Sequence, residues 1–122
     1  MKVLYLLVLF FIVACSSEQD AQQQGEQLFN KTHLGKNKVI GCVLCHSIKP
    51  DQVIVGPSLA GLSVRAPHLV AGQSAAEYIK NSIINPDAFV VGGYLPGTMY
   101  AHYRQELSKS EIDALVAYLL KL

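Results

Sequence analysis

The sequence predicts an all-α protein with a single domain, and three observations indicate this fold class. The chain has 122 residues and opens with an apolar run, so the remainder suffices for one compact domain and not for two. Two serines each have a glutamate three residues on, which is the spacing of a helix capping box: Ser74 with Glu77, and Ser108 with Glu111. After the second box, apolar residues follow the i, i+3, i+4, i+7 spacing of a buried helical stripe: Ile112, Leu115, Val116 and Leu119.

The N-terminus is predicted to be a signal peptide over residues 1–14. Lys2 supplies a minimal positive region, and the apolar run Val3–Ala14 is too short to cross about 30 Å of hydrocarbon as a helix. The run ends in Ile-Val-Ala before Cys15, which resembles a bacterial lipobox and predicts cleavage and acylation at Cys15. Cleavage by the ordinary signal peptidase after Ala14, or an uncleaved anchor helix, are the alternatives.

Residues 15–24 are expected to be a lipid-anchored tether that leads into a domain over residues 25–122. The stretch from Ser16 to Gln24 has no large apolar side chain, so it cannot bury a core. Removal of residues 1–14 takes away one basic residue, Lys2, and leaves nine basic against nine acidic residues. The balanced charge, without a polybasic run, argues against nucleic acid as a partner.

Three helices can be predicted with their ends. The first covers about Gln22–Asn30 and contains Gly25, the second runs from Ser74 to the Asn85-Pro86 pair, and the third begins at Ser108. The stretch Val53–Val70 shows no clear helix and is expected to be a loop.

The segment Cys42-Val43-Leu44-Cys45-His46 carries the c-type haem attachment pattern. Two thiols three positions apart can form thioethers with the two vinyl-derived carbons on one porphyrin edge, while the adjacent imidazole of His46 binds the iron. A thioredoxin-like redox pair would need a βαβ unit, which is not apparent. A zinc site would need two further ligands, and His33, His68 and His102 are scattered.

With this motif, the region from about Gly25 to Leu122 resembles a class I cytochrome c domain. Gly25 and Phe29 stand four apart in the first predicted helix, as in the family's N-terminal helix, where the glycine permits close crossing of the C-terminal helix. Gly56-Pro57 resembles the family's glycine-proline turn, which implies that the Pro57 carbonyl accepts a hydrogen bond from His46. The resemblance implies the cytochrome c fold, with about three to five helices around one covalently bound haem.

The resemblance also implies that Met99 is the second axial ligand of the iron. Met99 lies in the turn-rich segment 92–99 ahead of the last helix, and it is the only methionine left once Met1 is removed. His102 is the rival ligand and would lower the potential. The family often has a proline directly after the methionine, where this chain has Tyr100.

The other polar and aromatic residues of the region are expected to contact the haem, the helices or the solvent. Arg65 is a candidate partner for a haem propionate. Four tyrosines are expected to line the pocket or to pack against the helices: Tyr94, Tyr100, Tyr103 and Tyr118. His33 and His68 are expected to face solvent.

The function expected from these features is single-electron transfer by a His46/Met99 haem in a respiratory or photosynthetic chain, without enzyme activity of its own. The protein would be exported and held by lipid on the periplasmic or extracellular side of a membrane. It would act as a carrier for redox partner proteins or as a fixed subunit of a membrane oxidoreductase such as alternative complex III. The alternative is a haem-based gas sensor or an enzyme with an open sixth position, which requires that Met99 does not ligate.

Overall fold

The structure is a computed structural model that describes residues 17–122, and the predicted all-α fold class is confirmed. The predicted signal peptide and Cys15 lie outside the described residues. The elements are α1 (17–29), β1 (His33–Leu34), β2 (Val39–Ile40), α2 (Leu62–Arg65), α3 (Ala75–Ile84), α4 (Tyr103–Glu106) and α5 (Lys109–Leu119). Three short 3₁₀ turns occupy Cys42–Leu44, Ala66–His68 and Pro86–Ala88. The two strands pair as an antiparallel hairpin, with His33 opposite Ile40.

Both predicted capping boxes are present at the starts of α3 and α5. The Ser74 hydroxyl accepts a hydrogen bond from the backbone N–H of Glu77, and the Glu77 carboxylate accepts one from the backbone N–H of Ser74 at 2.8 Å. Ser108 and Glu111 repeat the arrangement. Each box satisfies backbone donors that the first helical turn leaves without partners, so the two helices start where the sequence predicts.

The N-terminal helix begins earlier than the predicted Gln22. Residues 17–24, expected to form a tether, are helical and mostly exposed. Further along α1, a Cβ added to Gly25 would lie 2.0 Å from the carbonyl oxygen of Ala114 in α5, so only glycine allows the two backbones to approach this closely. The rings of Phe29 and Tyr118 also pack across this crossing, with centroids 5.7 Å apart. The close crossing expected at Gly25 is therefore present.

The core contains side chains of α1, α3 and α5, and α3 packs against α5 and also contacts α2 and α4. Its most deeply buried large side chains are Phe29, Ile79 and Leu115, each at most 2% exposed. Burial of these apolar side chains is the main favourable contribution to folding. None of the helices in residues 17–122 combines the length and the apolar content that a membrane crossing requires.

The prediction of a loop without helix over Val53–Val70 is wrong, because α2 and the following 3₁₀ turn lie within it. A helix of four residues is too short to show a periodic pattern, and tertiary contacts define this one. Leu62 is buried, and the Arg65 guanidinium donates hydrogen bonds to the carbonyl oxygens of Ser58 and Ala60, each at 3.0 Å.

Candidate functional site

A cavity of about 570 Å³ brings together the residues that the sequence singled out. Its lining includes Cys42, Cys45, His46, Pro57 and Met99. Most of its wall is apolar and comes from the helices and their connections: Phe29, Leu62, Leu69, Tyr78, Ile79, Ile83, Leu115 and Leu119. The arrangement is that of a ligand pocket with apolar walls and a few convergent reactive groups.

A single turn of helix presents the two cysteines to the cavity. The backbone N–H of Cys45 donates to the carbonyl oxygen of Cys42 at 3.1 Å, and the N–H of His46 donates to the same oxygen at 2.9 Å. Side chains three positions apart lie on the same face of such a turn, so both thiols line the cavity, and neither is in a disulfide. Burial raises the pKa of the Cys42 thiol to about 11, against the lowering effect of a backbone hydrogen bond, and Cys45 adds to the rise. Uncharged sulfur is therefore favoured at this wall.

The imidazole of His46 is held by the turn that contains Gly56 and Pro57. His46 Nδ1 lies 2.9 Å from the carbonyl oxygen of Pro57, which can only accept, so Nδ1 is the donor. A Cβ on Gly56 would lie 2.5 Å from His46 Cε1, and glycine is therefore needed where the backbone passes the ring. Burial lowers the pKa of His46, and the hydrogen bond to Pro57 opposes it. A neutral imidazole that donates from Nδ1 keeps Nε2 free to bind a metal.

Met99 and His102 both line the cavity, so the structure brings together the expected ligand and its rival. Met99 is half-buried and packs against the core, whereas His102 is exposed. The ring of Tyr100 packs edge-on against the rings of His102 and Tyr103, with centroids 5.7 Å and 5.0 Å away, respectively. Met99 therefore contributes a half-buried thioether to the cavity wall, and His102 contributes an exposed imidazole.

The other singled-out histidines lie away from the cavity lining. His33 and His68 are exposed, as expected. His33 Nδ1 lies 3.1 Å from the hydroxyl of Thr32. In residues 17–122, no three His, Cys, Asp or Glu side chains are grouped to hold a metal ion.

Three of the four tyrosines line the cavity: Tyr94, Tyr100 and Tyr103. Tyr118 instead packs against Phe29 in the helix crossing. Tyr103 is buried, and its hydroxyl donates a 2.8 Å hydrogen bond to the carbonyl oxygen of Ile40 in β2. Burial raises the pKa of Tyr103, and the nearby Cys42, Cys45 and Tyr100 add to the rise. Tyr103 therefore stays a neutral donor that ties α4 to the hairpin.

Arg65 also lines the cavity, and its guanidinium is bound to the carbonyl oxygens of residues 58 and 60. Both contacts use one nitrogen, Nη2. The side chain is thereby fixed at the cavity edge while other N–H groups of the guanidinium remain as donors.

One contact of the site carries no sequence signal. The Asp87 carboxylate accepts a hydrogen bond from the backbone N–H of Gly97 at 2.8 Å, across a separation of ten residues and two residues before Met99. Neither residue belongs to a motif, and only the folded chain brings them together.

The residues present fit a covalently attached haem. Two thiols stand on one turn, an oriented imidazole follows them, a thioether lies on the same cavity, and apolar side chains supply the walls. These are the groups that thioether attachment and axial ligation of haem iron use. A flat apolar ring system also fits this wall, since there are few polar atoms to leave without partners.

Comparison with known proteins agrees with this geometry. The sequence model of the Cytochrome c family matches residues 22–122, which is most of the chain and includes every lining residue named above. Comparison with curated proteins and with solved structures gives no match. The chain therefore belongs to the cytochrome c family, whose members carry covalently bound haem c and transfer electrons.

Proposed function

We propose that this protein transfers single electrons through one haem c, attached at Cys42 and Cys45 and ligated axially by His46 and Met99. The observation that supports this most strongly is that one cavity is lined by all four side chains. The sequence contains one Cys-x-x-Cys-His motif, which agrees with one haem. The haem would supply the ferrous/ferric couple, and the protein would tune and shield it.

On this proposal, the turn at Gly56 and Pro57 sets the orientation of the proximal imidazole. The hydrogen bond from His46 Nδ1 to the Pro57 carbonyl fixes the tautomer and makes Nε2 a stronger electron donor to iron. The absence of a side chain at Gly56 lets the backbone pack against the ring. The imidazole therefore needs little rearrangement when the oxidation state changes.

Met99 and the apolar wall would act on the relative stability of the two oxidation states. A thioether ligand favours ferrous iron, and exclusion of water disfavours the extra charge of the ferric state, so both raise the potential. If His46 and Met99 both bind the iron as proposed, no position would be left there for a substrate, and electron transfer would be favoured over gas sensing or catalysis.

The location proposed for the protein is the outer side of a membrane, with export directed by residues 1–14 and attachment through lipid on Cys15. Two or more acyl chains give a stable anchor, whereas one chain binds only marginally. Membrane fractionation tests the anchor, since Cys15→Ala should move the protein from the membrane to the soluble exported fraction.

The proposed partners are redox proteins in a respiratory or photosynthetic chain. The protein would act either as a mobile carrier or as a fixed subunit of a membrane oxidoreductase. Gentle detergent extraction followed by native electrophoresis separates the two roles. A carrier would migrate alone, and a subunit would migrate with the complex.

Axial ligation is tested by absorption spectra of the purified ferric protein. Ferric haem with a methionine sulfur ligand has a weak band in the red that other ligand sets lack, and we expect this band in the wild type and its loss in Met99→Ala. His102→Ala is the matched control and should retain the band. A wild-type spectrum without the band, or a band that survives in Met99→Ala, would contradict Met99 as a ligand.

A further inference from the structure

Before the methionine, the segment that carries Met99 is joined to the rest of the fold by one hydrogen bond and by a ring contact of Phe89 with Tyr78 in α3, whose centroids lie 5.9 Å apart. Asp87 lies in the 3₁₀ turn Pro86–Ala88, and residues 88–96 connect it to Gly97. The backbone N–H of Gly97 donates to Asp87 Oδ1 at 2.8 Å. The separation of ten residues makes this a closed loop of the Ω type. Its base is a charge-assisted hydrogen bond, which is stronger than a bond between neutral groups.

Asp87 is a firm attachment point because its own backbone is tied to the core. Pro86, directly before it, is buried, and the 3₁₀ turn follows the end of α3. The helix α3 in turn packs against α5. A carboxylate at this place holds Gly97 at a defined distance from the helices that form the cavity wall.

The other hydrogen bonds of this segment are local. The N–H of Tyr94 donates to Val91, and both the N–H and the hydroxyl of Thr98 donate to the carbonyl oxygen of Leu95. Within residues 17–122, the bond from Gly97 to Asp87 is the one hydrogen bond that joins residues 89–98 to the rest of the fold. After Met99 the chain is held differently, since the Tyr100 ring packs edge-on against Tyr103 with centroids 5.0 Å apart.

We propose that Asp87 is a positioning residue for Met99: its carboxylate closes the loop at Gly97 and thereby holds the thioether ready to bind iron. This inference rests on the proposed His46/Met99 ligation. Loss of the contact frees the base of the loop, and the sulfur must then be ordered each time it binds, which weakens the iron–sulfur interaction. The Tyr100 side of the segment stays in place, so Met99 remains a ligand but yields more readily to a competitor.

The test is a competition for the sixth position with imidazole, in the full-length ferric haem protein. Loss of the methionine band on titration gives an apparent affinity for imidazole, which rises as the Met99 bond weakens. We expect imidazole to bind about tenfold more tightly to Asp87→Ala than to the wild type, which is the lower end of the effect of a lost hydrogen bond to a charged group. In Asp87→Asn an amide oxygen can still accept from Gly97, so imidazole should bind within about threefold of the wild type, inside the usual scatter of such energies.

The comparison of these two variants isolates the hydrogen bond, because both remove the same charge. Asp20→Ala, an exposed position on α1, removes one carboxylate elsewhere and should leave the imidazole affinity unchanged. Urea unfolding of every variant separates positioning from stability. The proposal would be overturned if Asp87→Ala lost stability but kept the wild-type affinity for imidazole. It would also be overturned if Asp87→Asn and Asp87→Ala bound imidazole with the same raised affinity.

The spectrum of the wild-type ferric protein shows whether Met99 binds the iron at all. If the wild-type ferric protein has no methionine band, Met99 is not a ligand and the positioning role of Asp87 falls with it. If the wild type has the band and Asp87→Ala binds imidazole with the same affinity as the wild type, the ligation by Met99 stands and the inference about Asp87 is overturned.

Discussion

The close crossing of α1 and α5 leads to a prediction for Gly25→Ala. The added methyl group would lie 2.0 Å from the Ala114 carbonyl oxygen and 2.7 Å from Tyr118 Cβ, whereas ordinary contact begins near 3.4 Å. Both obstacles belong to the backbone or to a Cβ atom, so no side-chain rotation relieves them. The two helices must move apart by more than an ångström.

The expected cost follows from two opposing effects. Glycine in the middle of a helix is less favourable than alanine by roughly 0.5–1 kcal/mol, so the substitution gains that amount in helix propensity. Overpacking of a tight contact costs typically about 1–3 kcal/mol, and a contact with backbone lies at the upper end. Displacement of α5 also loosens Leu115 and Leu119, which pack in the core and line the cavity. We expect a net loss of about 2–2.5 kcal/mol in the free energy of unfolding.

The assay is urea unfolding of the haem-loaded protein, monitored by far-ultraviolet circular dichroism. With a slope of about 1–3 kcal/mol per molar urea, the midpoint should fall by about 1 M. Gly92→Ala is the matched control, because nothing lies within 4 Å of its added Cβ and its backbone is not in the left-handed region. A Gly25→Ala variant within about 0.5 kcal/mol of the wild type would refute the close crossing.

Three further perturbations have defined outcomes. Leu115→Ala removes one of the most deeply buried side chains and should cost about 2–5 kcal/mol in urea unfolding, with a smaller loss contradicting its place in the core. Ser108→Ala removes the cap of α5 and should cost about 1 kcal/mol, which a wild-type midpoint would refute. Hydrogen bonds from Asn37 lower the pKa of the Glu106 carboxyl in the folded protein. The contact therefore stabilises the fold at pH values above the ordinary pKa of a glutamate, and this stabilisation is lost as the pH falls through the lowered pKa of the folded protein. Asn37→Ala should therefore be less stable than the wild type at neutral pH and approach it in acid, and an equal difference at both pH values would contradict the assignment.

The elements that could be predicted are those whose signals are local. Ser74 and Ser108 begin their helices as expected because a capping box is complete within four residues, and Pro86 ends α3 for an equally local reason. The four-residue helices α2 and α4 have no such signal. Tyr103 in α4 is fixed by burial and by a hydrogen bond to Ile40, sixty-three residues away, which no window of sequence contains.

The early start of α1 was missed for the opposite reason. Residues 17–24 lack the apolar side chains that make a helix recognisable, and their exposure in the structure explains why none is needed. The short hairpin at His33–Leu34 and Val39–Ile40 is likewise too brief to show alternation.

The site likewise contains residues that the sequence identifies and residues that only the folded chain brings together. The attachment motif of Cys42, Cys45 and His46 is contiguous, so sequence alone identifies it and its chemistry. The role expected for the Pro57 carbonyl came from resemblance, and the structure contains the corresponding contact with His46 at 2.9 Å. Asp87 could not be found from sequence, because its role depends on how loop 88–96 closes in three dimensions.

The most direct test of covalent haem attachment is mass spectrometry of the denatured mature protein, with peptide mapping afterwards. We expect the polypeptide to keep the mass of one haem after denaturation, with that mass on the peptide that contains Cys42 and Cys45. A polypeptide without the mass of a haem, or haem that is released on unfolding, would contradict covalent attachment at this site and with it the proposed arrangement of the cavity.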